Sequence, residues 1–145
     1  MTTAYDPFAG LTIADAHLEA VLRGEEFLIF DGAMGTMMQA AGLAKPGVVP
    51  DLLNITHPDD ITAIHRQYVE AGAQVITANT FGANSRKLEG RATVAEVFAA
   101  ATACARAAGA RYVAGDIGPT GALLQPMGEL SFEEAYELFA EQAIA

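Results

Sequence analysis

The sequence predicts an α/β fold of about three parallel strand–helix units, the N-terminal portion of an eight-unit barrel that is incomplete within these residues. Three observations predict it. Short apolar runs alternate with stretches of helical period, each run ends in polar or glycine-rich residues, and the last helical stretch reaches Ala145 with no stop signal. Strands separated by helices pair in parallel through right-handed crossovers, because the chain must return to the same end of the sheet. Three such strands leave two bare edges, whereas a complete barrel takes roughly 250 residues against the 145 here.

Residues 1–25 form an N-terminal segment with one short helix, and 26–145 form the barrel portion. Thr12-Ile13-Ala14-Asp15 opens the short helix, which runs to about Arg23 and stops at Gly24. Phe27-Leu28-Ile29-Phe30 is a continuous apolar run cut off by Asp31-Gly32, short enough for a buried strand. Met34, Met37 and Met38 give a helical turn, and Lys45-Pro46-Gly47 marks a loop. Thr56-His57-Pro58-Asp59 carries the cap, the early proline and the early acid of a helix start. Ile61, Ile64 and Tyr68 then recur at helical spacing up to Gly72, with His65 read as a flank residue beside that stripe.

Gln74-Val75-Ile76-Thr77-Ala78 is the second strand and ends in Asn79-Thr80-Phe81-Gly82. Residues 84–108 hold one helix or two, with Gly90 as the break and Thr93-Val94-Ala95-Glu96 as a capping box. Val94, Val97, Phe98, Ala101, Cys104, Ala105 and Ala108 step by three and four, so Cys104 reads as a packed, inert thiol. Arg111-Tyr112-Val113-Ala114 makes the third strand and runs into Gly115-Asp116-Ile117-Gly118. Ser131-Phe132-Glu133-Glu134 caps the final helix, whose remaining acids form a solvated surface.

Charge and cysteine content narrow the function. Eighteen acidic residues against 8 basic give a net charge of −10, which argues against a nucleic-acid binder or attachment to an anionic membrane. No apolar run reaches membrane-span length, and Met1–Asp6 lacks a basic region leading into an apolar one, so a cytoplasmic address is expected. A single cysteine excludes an intrachain disulfide and a cysteine-built zinc site assembled from this chain alone.

Chemistry is expected outside the carboxyl ends of the strands, where loops vary without disturbing the core. Asp31 follows four apolar residues, and the residues alone leave two readings of Asp31-Gly32 open: a simple turn, or a rim carboxylate for an ammonium group. Asn79 and Thr80 offer donors and acceptors at the second rim. Gly115, Gly118 and Gly121 lack the lysine of a phosphate loop and read as a plain turn.

Taken together, these segments resemble the homocysteine S-methyltransferase family, most closely the N-terminal homocysteine-binding module of its cobalamin-dependent branch, the methionine synthases. The resemblance rests on Phe30–Thr36, on Asp51-Leu52-Leu53-Asn54 with Ile55-Thr56-His57-Pro58, on Tyr68–Ala73 with Thr77–Phe81, and on Asp116–Gly121, in that order and spacing. It implies a (βα)8 TIM barrel that binds homocysteine and zinc at its carboxyl face. It also implies methyl transfer, from methylcobalamin or 5-methyltetrahydrofolate, to the homocysteine thiol to give methionine. In that family three cysteines from later strands hold the zinc, and Cys104 matches none of them. The zinc ligands are therefore expected outside this chain, cobalamin in a separate domain, and the chain alone without activity.

Carried over position by position, the resemblance makes Asp31 the partner of the homocysteine ammonium. It gives Gly32 and Gly35 the shaping of the first loop, Asn79 and Thr80 the lining of the second, and Asp116 the third rim. Expected partners are homocysteine, the rest of the barrel in the same or another chain, and a second copy through the open sheet edges. Two other readings are a non-catalytic half-barrel binding or assembly module, and an unrelated parallel α/β enzyme acting on phosphate-bearing ligands.

Overall fold

A computed structural model describes residues 8–145; residues 1–7, the start of the N-terminal segment, lie outside the described residues. The β-branched run Val75–Thr77 forms strand β1, and Tyr112–Ala114 forms β2 beside it. The two are parallel, with Val75 opposite Tyr112, Ile76 opposite Val113 and Thr77 opposite Ala114. The expected parallel arrangement is present, with helices between the strands.

The first predicted strand is reduced. Phe30 makes one parallel bridge to Val75, and the N–H groups of Gln74 and Val75 donate to the Ile29 carbonyl at 2.8 and 3.1 Å. The run is not buried as expected: Phe27, Ile29 and Phe30 are 74%, 51% and 56% exposed. It lies at the outer edge of the sheet, with no strand on its far side among the described residues to cover it.

Helix α1, Ala16–Leu22, starts later than expected because Asp15, not Thr12, caps it by accepting from the Leu18 N–H at 2.8 Å. The same carboxylate accepts from the Tyr112 hydroxyl at 2.7 Å, which pins α1 to the amino end of β2. Helix α2 covers Met34–Ala40, and a 3-10 turn at Pro50–Leu52 leads into α3, Leu53–Thr56. Helix α4, Pro58–Glu70, begins at its proline as expected, with His57 at the N-cap position but no side-chain cap from it or from Thr56. The Thr56 hydroxyl donates back to the Leu52 carbonyl at 3.1 Å instead, closing α3.

Residues 84–108 hold two helices: α5, Ser85–Leu88, and α6, Val94–Ala107, parted by Glu89 and Gly90 at φ 52° and 73°. Both capping boxes form, Thr93 with Glu96 and Ser131 with Glu134, the second opening α7, Phe132–Ile144. The core lies where α4 and α6 meet the sheet, and Ile61, Ile76, Val97 and Ala101 are fully buried there. His65 is fully buried too, a correction to its reading as a flank residue. Helix α4 packs against α2, α3, α6 and β1 at once, so its buried arc is wider than a single stripe. Among the described residues, no helix is long and apolar enough to cross a membrane.

Candidate functional site

The carboxyl ends of the strands open onto a two-lobed hollow. The smaller lobe, about 230 Å³, is lined by Asp31, Gly32, Thr77, Asn79 and Asp116, with Met34 and Phe81 at its border. The larger, about 670 Å³, shares Met34, Asn79, Phe81 and Asp116 and extends along Gly35, Val49 and Lys87. The structure thus brings Asp31, Gly32, Asn79 and Asp116 together in one lobe and puts Gly35 in the other. Thr80 lines neither lobe.

Asp31 is held by the neighbouring strand. Its N–H donates to the Val75 carbonyl at 3.1 Å, which sets the backbone, and its carboxylate accepts from the Thr77 N–H at 3.0 Å and the Thr77 hydroxyl at 2.8 Å. A carboxylate offers about four acceptor positions, so two remain for a cation in the lobe. Beneath the loop, the Tyr68 hydroxyl donates to the Ala33 carbonyl at 3.1 Å, and a Cβ on Gly32 would stand 3.0 Å from the Tyr68 ring. Only glycine leaves that ring in place.

Asp116 faces the same lobe. Burial first, and then the charge of Asp31, push its carboxyl above the usual carboxylate range. Two carboxylates with no cation lining the lobe make it a receptor for positive charge. Thr80 acts behind the wall: its hydroxyl donates to the Asp116 carbonyl at 2.8 Å and accepts from the Asp116 N–H at 3.1 Å. Its place in the fold is to tie the second and third loops together.

Asn79 is also a tie. Its side-chain amide donates to the Pro50 carbonyl at 2.9 Å, while its own carbonyl accepts from the Asn54 amide at 2.7 Å. Asn54 donates as well to the Asp51 carbonyl at 2.7 Å, and Asp51 accepts from the Gly82 N–H at 2.8 Å. Burial pushes the Asp51 carboxyl up, against the pull of the Gly82 N–H. Asp51 and Asn54 join the expected site residues as its scaffold, and both stand in a segment that carries the family resemblance. Apart from the bond between the two of them, their partners lie 25 and 31 positions away, so spacing carries no signal of the tie to the second loop.

The described residues do not fit a zinc site. No group of three His, Cys, Asp or Glu is placed to hold a metal ion among them. Cys104 is buried in α6, its sulfur 3.6 Å from the Pro58 carbonyl and 3.8 Å from that of Asn54, and burial pushes the thiol up. That is the environment of a packed thiol.

Comparison with known proteins agrees with the architecture. The sequence model described as Homocysteine S-methyltransferase matches residues 28–145. The chain is 32% identical to a methionine synthase of Mycobacterium tuberculosis (strain ATCC 25618 / H37Rv) over 92% of its own length and 13% of that protein's. Against a methionine synthase of Mycobacterium leprae (strain TN) the identity is 31%, over 83% of this chain and 11% of the relative. Among solved structures, the metallated form of the homocysteine methyltransferase MmuM from Escherichia coli aligns with a TM-score of 0.58 at 28% identity, over 72% of this chain and 42% of that one. Its oxidized form aligns with a TM-score of 0.61 at 25% identity, over 74% and 42%. The chain therefore spans about an eighth of the methionine synthases it matches and less than half of the solved structures.

Proposed function

The chain belongs to the homocysteine S-methyltransferase family, and from that premise we propose that it is the N-terminal part of a cytoplasmic (βα)8 barrel that binds homocysteine and presents its thiol for methylation to methionine. The observation that carries this reading is the anchored Asp31 carboxylate in a lobe with a second carboxylate and no cation. An α-amino group is protonated at neutral pH, and a charge-assisted hydrogen bond to a fixed carboxylate both binds and orients it. Asp116 adds to the field, Gly32 lets the first loop lie against the Tyr68 ring, and Asn79 and Thr80 hold the second loop in place. Gly35, expected in the first loop, stands instead in the first turn of α2 and lines the larger lobe. This chain's share of the chemistry is binding and orientation.

Zinc and cobalamin, implied by the family resemblance, belong in this reading to residues and domains outside the chain, with methylcobalamin or 5-methyltetrahydrofolate as methyl source. The chain alone is expected to bind without turnover. Residues 26–145 are the barrel portion, and 1–25 precede it. Exposed Phe27, Ile29 and Phe30 at one side of the sheet, and Phe132, Tyr136 and Phe139 on α7, support completion by further strand–helix units in the same or another chain, or by a second copy.

The test is a titration of the chain with L-homocysteine, read by backbone amide chemical shifts. Shifts are expected at Gly32 and Thr77, with Asp31→Asn weakening binding at least tenfold. 4-Mercaptobutyrate, which keeps thiol and carboxylate but lacks the ammonium, is expected to bind the parent chain no better than homocysteine binds the Asn variant. Unchanged affinity in Asp31→Asn, or equal binding of both compounds, would remove Asp31 from this role.

A further inference from the structure

The larger lobe has a volume within the roughly 300–1,000 Å³ of pockets that take a whole organic ligand, and it adjoins the amine-binding lobe without containing Asp31. Its wall is apolar, built by Met34, Met38, Val48, Val49 and Pro50. Its charged lip comes from Lys87, Glu89 and Arg91, at the break between α5 and α6. Arg91 is committed: its guanidinium lies 3.0 Å from the Glu89 carboxylate and donates to the Leu88 carbonyl at 3.3 Å. Lys87 is different. Among the described residues it makes no ion pair, and its ammonium nitrogen stands 5.8 Å from the centre of the Phe81 ring.

The stem of Lys87 packs beside Gly121, where an added Cβ would lie 3.2 Å from Cε, so the chain is guided while its head stays at the lip. Asp51 and Asp116 also line this lobe: Asp51 is 4% exposed, its carboxylate accepts from the Gly82 N–H and feels the Lys87 charge, and Asp116 stands where the two lobes meet. Glu89 holds a left-handed backbone, φ 52°, which a non-glycine residue rarely adopts and which here fixes the lip between Lys87 and Arg91. We propose that the larger lobe is a second binding site, for an organic anion with an apolar body, in which Lys87 reads the negative charge and the Met34–Val49 wall takes the body. This site stands whether or not homocysteine occupies the smaller lobe.

Three probes of one shape and different charge test it on the 145-residue chain: 4-phenylbutyrate, 4-phenylbutan-1-ol and 4-phenylbutylamine, each titrated with amide chemical shifts as the readout. The carboxylate is expected to shift Val49, Gly82 and Lys87 and to bind at least tenfold tighter than the alcohol, with the amine no tighter than the alcohol. Lys87→Met, which keeps the stem, is expected to bring the carboxylate down to the alcohol's affinity, and Lys87→Arg to restore most of it. Unchanged shifts elsewhere in the spectrum establish that the variant is folded. Equal binding of the three probes, unaltered carboxylate binding in Lys87→Met, or shifts confined to 27–30 and α7 would overturn the proposal. Homocysteine is read at Gly32 and Thr77, so either site can fail alone.

Discussion

Thr77 grips Asp31 from two directions, its backbone N–H at 3.0 Å and its hydroxyl at 2.8 Å, so the last residue of β1 fixes the first carboxylate of the hollow. Thr77→Val keeps the shape and the backbone donor but removes the hydroxyl. A stability loss of about 1 kcal/mol is expected from one hydrogen bond to a charged group that remains partly solvated. Homocysteine affinity should fall less than in Asp31→Asn. Chemical denaturation and calorimetry on both variants measure the two effects, and equal losses of affinity would show that Thr77 touches the ligand itself.

Burial raises the Asp51 carboxyl above its ordinary value, so the fold holds that proton more tightly than the unfolded chain does. Its contribution to stability is therefore present at acid pH and is lost as pH rises from 3.8 through the folded value. Asp51→Asn keeps an acceptor for Gly82 and removes the titration. The variant should gain on the parent chain as pH is raised from 4 toward 7, in urea unfolding at several pH values. A constant difference between the two chains would contradict the assignment.

His65 works in the opposite sense. Burial lowers the pKa of its imidazole, with the Asp31 charge acting weakly against that, and neither ring nitrogen has a hydrogen-bond partner among the described residues. A base with a depressed folded pKa is neutral in the fold and charges more readily when unfolded. Stability should therefore fall as pH drops below 6.5. His65→Leu is expected to flatten that fall, and to match or exceed the parent stability at pH 8, because it removes unpartnered polar atoms from the core. Melting temperatures at pH 5 and pH 8 decide it.

Gly118 is predicted to tolerate no side chain. A Cβ there would fall on the carbonyl oxygen and ring of Phe81, the residue shared by both lobes. Backbone cannot yield as a flexible side chain can, so Gly118→Ala should cost on the order of 1–3 kcal/mol and displace the wall. Gly35→Ala meets nothing within 4 Å and serves as the control. Similar melting points for the two variants would argue against the close approach.

How much of this was legible in the sequence follows from the range of each interaction. Capping boxes at Thr93 and Ser131 use residues three apart and were readable directly. So was the parallel order of the strands, because the helices between them leave little choice. The run at 27–30 misled because apolar sequence reports the environment a strand is suited to, whereas its burial here depends on neighbours on both sides. At the site, Asp31 was visible from its place after an apolar run, yet its grip by Thr77 spans 46 positions. Thr80, expected to line the second loop, instead ties its hydroxyl to the Asp116 backbone 36 positions on. Hydrogen bonds of that span leave no periodic trace.

The chain has no tryptophan and four tyrosines, and one of them, Tyr68, is tethered to Ala33 directly beneath the loop that carries Gly32. A phenol that donates to a carbonyl absorbs at a longer wavelength than one in water. Loss of the bond on ligand binding would move the band. Absorbance near the tyrosine band thus reports on the Tyr68–Ala33 tether without a label.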